Sequence, residues 1–158
     1  MHLSEFPDTP DVFPDDDCFA IRQAARYVSQ LYDRHLAEVG LTITQYSILR
    51  RIRNNPQMTM KQLVKATLLK RTTLVRTVQP LQRDGLVSSR SLPAQGRERI
   101  LSLTPDGEAR LAAAGRHWHA AQEEFEQRFG ADRSALLRRE LLDIVRAPAG
   151  EPMNEPAE

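Results

Sequence analysis

Apolar residues recur at three- and four-residue spacing along most of this chain, a pattern typical of amphipathic helices. The pattern predicts six helices and one hairpin of two short strands. The predicted helices run from about Asp17 to Val39, from an N-cap at Thr44 to Asn55, from Thr59 onward, from about Lys70 to Arg83, from Pro105 to about Phe129 and from about Asp132 to Arg146. The predicted strands are Leu86 to Arg90 and Arg99 to Leu103. The expected fold class is therefore mainly α with a small β-hairpin.

Local signals support several helix ends. Thr59 is followed three residues later by Gln62, which is the spacing of a capping box. Thr104-Pro105 is a strong helix start, because Pro favours the first helical position. Pro80 lies inside the fourth predicted helix, removes one backbone hydrogen bond and is expected to bend or loosen the last turn.

Composition places the chain among ordinary globular proteins. Of its 158 residues 41% are apolar and 27% are charged, and no apolar run approaches the roughly 18 residues that span a bilayer. Residues 1–16 are acidic and contain three prolines, which predicts a flexible arm without the positive start of a secretory signal. Residues 147–158 are predicted to be a disordered tail. We expect a cytoplasmic protein with no membrane partner.

Charge is distributed very unevenly. Residues 50 to 99 contain twelve Lys or Arg and two acids, a net charge of +10, so the rest of the chain carries −9. A basic segment of this kind attracts a phosphate backbone, and salt weakens the attraction. A solvated charged surface would also explain it, since most charge runs are nothing more. The basic residues here are interleaved with predicted helices and the hairpin, which favours DNA binding.

The second, third and fourth predicted helices, followed by the hairpin, form the order of elements that predicts a winged helix-turn-helix. The fourth predicted helix would be its recognition helix. Early residues of such a helix face the base edges, and an Arg near a hairpin tip can enter a minor groove. The candidate DNA-binding residues are Thr59, Lys61, Lys70, Arg71, Thr72, Thr73, Arg76, Thr77, Arg90, Arg97 and Arg99.

The runs at residues 40–49, 63–76, 81–87 and 97–107 together resemble the MarR family of bacterial transcriptional regulators, and the resemblance covers about 17–146. It implies a homodimer in which residues 17–43 and 105–146 form a helical dimerisation region and residues 44–104 form the DNA-binding lobe. It also implies a near-palindromic double-stranded operator and a ligand or oxidant that changes the lobe spacing, most often relieving repression.

The chain departs from the family pattern in the wing and in the turn. Gln95 stands where the family often has an Asp that would pair with the wing Arg. Leu68 stands where the turn often has Gly, and Lys70 where it often has Asp or Ser. We therefore expect a turn that is less tight and a recognition helix that lacks a capping side chain.

Burial also predicts a dimer. The fifth and sixth helices carry more apolar residues than a small lobe can cover, including Leu111, Ala114, Trp118, Ala121, Phe125 and Phe129. Packing onto the first helix of the same chain is the alternative for some of them.

Two triggers are open. Cys18 stands at a helix start, which favours a thiolate, and its placement is similar to that of the reactive cysteine in MarR-type organic-hydroperoxide regulators. Tyr32 matches one of their two tyrosines by spacing, Arg22 occupies the other position, and an inert Cys18 is the alternative. The second trigger is a small aromatic or anionic effector in a cleft between the dimer helices and the lobe, with Arg22, Tyr32, Tyr46, His117 and Trp118 as candidate contacts.

Catalysis, a metal site and a cofactor are not expected. His117 and His119 lie about 200° apart around a helix, and one cysteine excludes a cysteine-rich zinc site. No nucleophile motif or phosphate-binding glycine loop is present. A dimeric sequence-specific regulator, a non-specific architectural DNA-binding protein and a protein-interaction module therefore remain, and the first is favoured.

Overall fold

The computed structural model describes residues 15–92 and 96–147, which form six helices and a three-stranded antiparallel sheet. In chain order the elements are α1 (Asp17–Leu36), α2 (Ile43–Asn54), β1 (Met58–Thr59), α3 (Met60–Thr67), α4 (Arg71–Arg83), β2 (Val87–Ser91), β3 (Arg99–Leu103), α5 (Pro105–Phe129) and α6 (Ala131–Arg146). The predicted fold class is confirmed. Nearly all of the predicted acidic arm and tail lie outside the described residues.

Two helix ends differ from the predicted ones. α1 ends at Leu36 and continues as a single 3-10 turn, Ala37–Val39, which Gly40 closes in the left-handed conformation. Thr44 as the N-cap of α2 was wrong. Thr42 caps this helix, accepting a hydrogen bond from the Gln45 backbone N–H, while the Gln45 side chain accepts from the Thr42 N–H.

The sheet has the order β1-β3-β2 and contains a strand that the sequence analysis missed. β1 is two residues long, with Met58 opposite Leu101 of β3. β2 and β3 pair from Val87–Leu103 to Ser91–Arg99. These two strands and their connection are called the wing below.

The core lies between α2, α3, α4 and the sheet. Ile48, Leu49, Leu63, Leu74 and Leu101 are at most 1% exposed. Complete burial of such a side chain contributes about 1.5 to 3 kcal/mol relative to exposure. α4 continues through Pro80 to Arg83, and its buried stripe of Leu74, Val78 and Leu81 fixes the helix against this core.

Thr104 joins β3 to α5. Its hydroxyl donates to the Gly85 carbonyl at 2.5 Å and accepts from the Gly107 N–H at 3.0 Å, so it caps α5. Its own N–H donates to the Leu86 carbonyl at 3.1 Å. At Gly107, a Cβ would lie 2.0 Å from that same Leu86 oxygen. Only glycine allows this close approach of α5 to the Leu86 backbone.

The terminal helices leave a large apolar surface uncovered in the single chain. Ser134 is the one buried residue of α6, and six of its large apolar side chains are 37% to 60% exposed. On α1, the predicted stripe is buried only at Leu31, Tyr32 and Leu36. Ile21, Ala24 and Ala25 instead line a groove of about 650 Å³ between α1, α5 and α6.

Candidate nucleic-acid interface

The turn before α4 has a left-handed residue without glycine. Leu68 ends α3 with φ +55° and is the one non-glycine residue of the described chain with positive φ. Thr67 stabilises the turn, because its hydroxyl donates to the Leu63 carbonyl and accepts from the Leu69 N–H. The Leu68 side chain is 71% exposed, so packing does not offset the backbone strain.

The start of α4 is open to an anion. Lys70 is its N-cap and makes no side-chain capping hydrogen bond. The backbone N–H groups of the first turn therefore receive no capping side chain, and the positive end of the helix dipole points out of the same turn. Such a helix start binds phosphate readily.

The cationic face of α4 is opposite to its buried stripe. Arg76 is two residues from both Leu74 and Val78, which places it about 200° around the helix from each. Arg71, Thr72, Thr73 and Arg76 are exposed accordingly. Thr77 is half-buried and its hydroxyl donates to the Thr73 carbonyl, so it is partly engaged within the helix.

The cations of this surface are not neutralised by neighbouring acids. Each of them is exposed, and no ion pair or hydrogen bond joins their side chains to any residue that the structure describes. They are Lys61, Lys70, Arg71, Arg76, Arg90 and Arg97. Arg97 follows Gly96, whose φ of +69° turns the wing connection. Gln95 lies outside the described residues.

Two further predicted DNA-contact residues make side-chain hydrogen bonds within the chain. Thr59 is 8% exposed, and its hydroxyl accepts from the Gln62 N–H to cap α3. The capping box predicted there is present. Arg99 donates hydrogen bonds to Ser89 and Ser91 of β2.

Three of the five candidate effector residues, Tyr32, Tyr46 and Trp118, form a packed aromatic junction. The Tyr46 and Trp118 rings stack with centroids 6.2 Å apart, and Tyr32 lies 6.5 Å from Trp118. The Arg50 guanidinium lies 5.3 Å from the Trp118 ring centre, a contact that the sequence analysis missed. Arg50 is four residues after Tyr46 on α2, which is the spacing that could have suggested it.

Arg22 and His117 do not join this aromatic junction. Arg22 is exposed and precedes Tyr32 by ten residues, about 15 Å along α1. The His117 ring accepts from the Arg116 Nε at 3.3 Å, which is an exposed contact.

Cys18 is free and exposed in the first turn of α1. Tyr32 comes fourteen residues later, about 21 Å along the same helix. Its hydroxyl donates to the Gln122 side chain at 2.5 Å. Burial and the nearby Glu126 carboxylate raise the pKa of Tyr32, against the opposing effect of Arg138. A thiolate site made of Cys18 and Tyr32 is therefore not formed within one chain.

One ionic cluster joins α1 to α5 and was not visible in the sequence. Glu124 contacts Arg34 at 2.7 Å, His35 at 2.5 Å and Arg128 at 2.6 Å. The hydrogen bonds from His35 and Arg34 lower the pKa of Glu124 to about 2. Arg128 also donates to the Tyr27 hydroxyl, and this bond raises the pKa of Arg128. These four residues, Arg34, His35, Glu124 and Arg128, are called the Glu124 cluster.

Other kinds of site are absent from the part of the chain that the structure describes. None of its helices is long and apolar enough to cross a membrane. Within the same ranges, no group of His, Cys, Asp or Glu is arranged to hold a metal ion.

The helix-turn-helix, the uncancelled cations and the wing together define a DNA-binding winged-helix transcriptional regulator. The family profile described as MarR family matches residues 39–98. The transcriptional regulator HosA of Escherichia coli O127:H6 (strain E2348/69 / EPEC) is 30% identical over 120 residues, which cover 73% of this chain and 89% of HosA. The chain belongs to the MarR family and is not an enzyme.

Solved structures agree with this assignment. The M. tuberculosis regulator MosR in complex with DNA is 33% identical with a TM-score of 0.68, over 84% of this chain and all of MosR. The repressor CouR bound to a 23-mer DNA duplex is 26% identical with a TM-score of 0.74, over 81% of this chain and 91% of CouR. CouR has also been solved with p-coumaroyl-CoA, at 25% identity and a TM-score of 0.73, over 82% of this chain and 91% of CouR.

Proposed function

We propose that this chain is a dimeric, sequence-specific repressor that a small-molecule effector releases from its operator. The observation that supports DNA reading best is the exposed face of α4. There Lys70, Arg71 and Arg76 carry charges that no described acid cancels, beside a helix start without a capping side chain. Arg can bond a guanine bidentately, and the helix start can bind a phosphate.

Arg97 supplies the second contact region. It lies in the wing connection, exposed and without a described partner. An Arg carried on such a connection can enter the narrow minor groove beside the major groove that α4 occupies. One lobe would then contact the duplex from two adjacent grooves.

The partner that covers the terminal helices is a second copy of the chain. Ile21 of α1 and the α6 residues Leu137, Leu141 and Leu142 are 37% to 45% exposed, and all four line the same groove. An apolar surface of this extent is typical of an interaction site. A twofold dimer through this groove would present two lobes to a near-palindromic operator.

The dimer is tested by sedimentation of Leu141→Glu. We expect this variant to become monomeric and to lose operator binding, because a carboxylate would be desolvated in the interface. Leu68→Glu is the control for the sedimentation measurement alone, since Leu68 is also exposed but lies in the turn before α4 and not in the groove. A Leu141→Glu protein that remains dimeric would contradict the proposed interface.

The operator is best obtained by selecting duplexes from a randomised pool with the parent protein. Arg76→Ala is expected to weaken binding to the selected duplex by about tenfold or more, because a base contact is lost. Arg83→Ala is the control: it is exposed on nearly the same face of α4, two turns further from the helix start. Equal affinity for selected and scrambled duplexes would instead favour a non-specific architectural protein, and no retained duplex would favour a protein-interaction module.

The aromatic junction supports the proposed effector response. Tyr46 lies on α2, in the proposed DNA-binding lobe, whereas Trp118 lies on α5, which leads to α6. An aromatic anion that replaced the Tyr46–Trp118 stacking and paired with Arg50 would alter the lobe position. CouR, which has been solved with p-coumaroyl-CoA, motivates a panel of that thioester and simple aromatic acids as probes.

We expect a member of this panel to release the selected duplex from the parent protein. We expect no such release from Arg50→Gln. Arg53→Gln is the matched control, because Arg53 is an exposed cation of the same helix. Release that is equal in both variants would refute the assignment of Arg50. A reporter gene that stays silent when the regulator is removed would refute repression.

A further inference from the structure

Arg99 differs from the other cations of the wing, because its guanidinium is already bonded inside the hairpin. Its Nε donates to the Ser89 hydroxyl at 3.0 Å, its Nη1 to the Ser91 hydroxyl at 3.4 Å and its Nη2 to the Ser89 carbonyl at 3.4 Å. All three acceptors belong to β2, so the side chain bridges the two strands.

The bonds join the open end of the hairpin to its anchored part. Ser91 pairs with Arg99 at the last position before the connection, whereas Ser89 pairs with Leu101, two positions further in. Leu101 is 1% exposed and also pairs with Met58 of β1. Residues opposite each other or two apart share one face of a sheet, which explains how Arg99 reaches both serines.

The position of Arg97 depends on this end of the hairpin, because Arg97 precedes Arg99 of the Arg99–Ser91 pair by only two residues. A two-stranded ribbon is marginally stable by itself, and β1 extends the sheet only opposite Leu101 and Ile100. Loop order that exists before binding lowers the entropy cost of association. Holding Arg99 to Ser89 and Ser91 therefore lowers the cost of presenting Arg97.

We infer that Arg99 is a positioning residue: its bonds to Ser89 and Ser91 hold the wing so that Arg97 reaches the duplex, and Arg99 makes no phosphate contact of its own. The inference rests on the proposed function, since it divides roles within that DNA-binding surface. The competing role is a direct phosphate contact, because Arg99 also lines a hollow of about 210 Å³ together with Arg71 of α4.

Ser89→Ala separates the two roles, because it removes an acceptor of Arg99 without changing any charge. We expect about fivefold weaker binding to the selected duplex, the effect of one lost hydrogen bond, with an unchanged salt slope. The loss should disappear in an Arg97→Ala background, where the wing has no contact left to position. Ser88→Ala is the control, since Ser88 is exposed on the other face of β2.

The charge variants give the contrasting result. Arg97→Ala should reduce the salt slope by about 0.9, because one cation that displaces counterions from the duplex is lost, whereas Arg99→Gln should weaken binding with little change of slope. If Arg99→Gln lowered the slope as much as Arg97→Ala, and Ser89→Ala bound like the parent, the positioning role would be overturned.

A measurement on the free protein decides the point independently of DNA. The heteronuclear ¹⁵N NOE of the Arg97 amide is expected to fall in Ser89→Ala and to stay unchanged in Ser88→Ala. An unchanged NOE in both variants refutes the role of Arg99. A parent protein that retains no duplex refutes the proposed function, while the NOE still decides whether Arg99 orders the wing.

Discussion

One methyl group at Gly107 is expected to separate the DNA-binding lobe from α5. In Gly107→Ala, the new Cβ would lie 2.0 Å from the Leu86 carbonyl oxygen and 3.0 Å from its carbon. Contacts below 3.0 Å are essentially never found for a Cβ, so the two backbones must move apart by about 1 Å. The same Leu86 oxygen accepts from the Thr104 N–H, and the Thr104 hydroxyl holds Gly85.

The magnitude follows from these contacts. Overpacking costs about 1 to 3 kcal/mol, and the two hydrogen bonds that Thr104 donates to the Leu86 and Gly85 carbonyls contribute about 1 kcal/mol each. Replacing glycine by alanine in a helix returns about 1 kcal/mol. We expect a net destabilisation of about 3 kcal/mol, equivalent to a fall in Tm of about 6 to 12 °C for a chain of this size.

The assay is urea and thermal unfolding followed by far-ultraviolet circular dichroism, at one protein concentration because dimerisation contributes to stability. Gly115→Ala is the control within the same helix, since nothing lies within 4 Å of its added Cβ. That variant should be more stable than the parent by about 1 kcal/mol. Equal stabilisation by both substitutions would refute the argument from the close approach.

Three further predictions concern separate parts of the molecule. The folded-state pKa of Glu124 is lowered from 4.5 to about 2, so its contribution to stability is complete above pH 4.5 and is lost as the pH falls towards 2. In Glu124→Gln the unfolding midpoint should therefore depend less on pH over that range. A pH dependence equal to the parent's would contradict this. Leu68→Gly should raise stability by about 0.5 to 1 kcal/mol in urea unfolding, since the relieved left-handed strain exceeds the added entropy of the unfolded chain, whereas Leu68→Ala should not. Cys18→Ser should leave peroxide-dependent DNA release equal to the parent's, because Tyr32 is distant and bonded to Gln122; a difference in release assays would restore the thiol hypothesis.

The helices and the hairpin could be predicted because each long element has its own periodic pattern. β1 could not, since Met58–Thr59 is too short to alternate and exists only by pairing with β3. The cap at Thr42 was predictable, because Thr42 and Gln45 have the same spacing as Thr59 and Gln62. The prediction of Thr44 relied on a threonine close to the apolar positions of the helix and overlooked the reciprocal hydrogen bonds that Thr42 and Gln45 can form.

For the interface, sequence alone identified the cationic face of α4 but not the bonds inside the wing. Arg71 and Arg76 were identified because they stand early in the predicted recognition helix, where side chains face the bases. The partners of Arg99 depend on strand register, and those of Glu124 depend on how α1 crosses α5, so neither set of partners follows from a local sequence pattern. Packing likewise decided that Tyr46 and Trp118 stack on each other.

Trp118 is the only tryptophan of the chain, and its indole lies where the lobe meets α5. Intrinsic fluorescence therefore comes from one chemical environment, without any introduced label. A change in the angle between lobe and scaffold would alter the distance from the indole to the Arg50 charge. The emission wavelength of Trp118 is therefore expected to change with that angle when an effector or a duplex is titrated into the unlabelled protein.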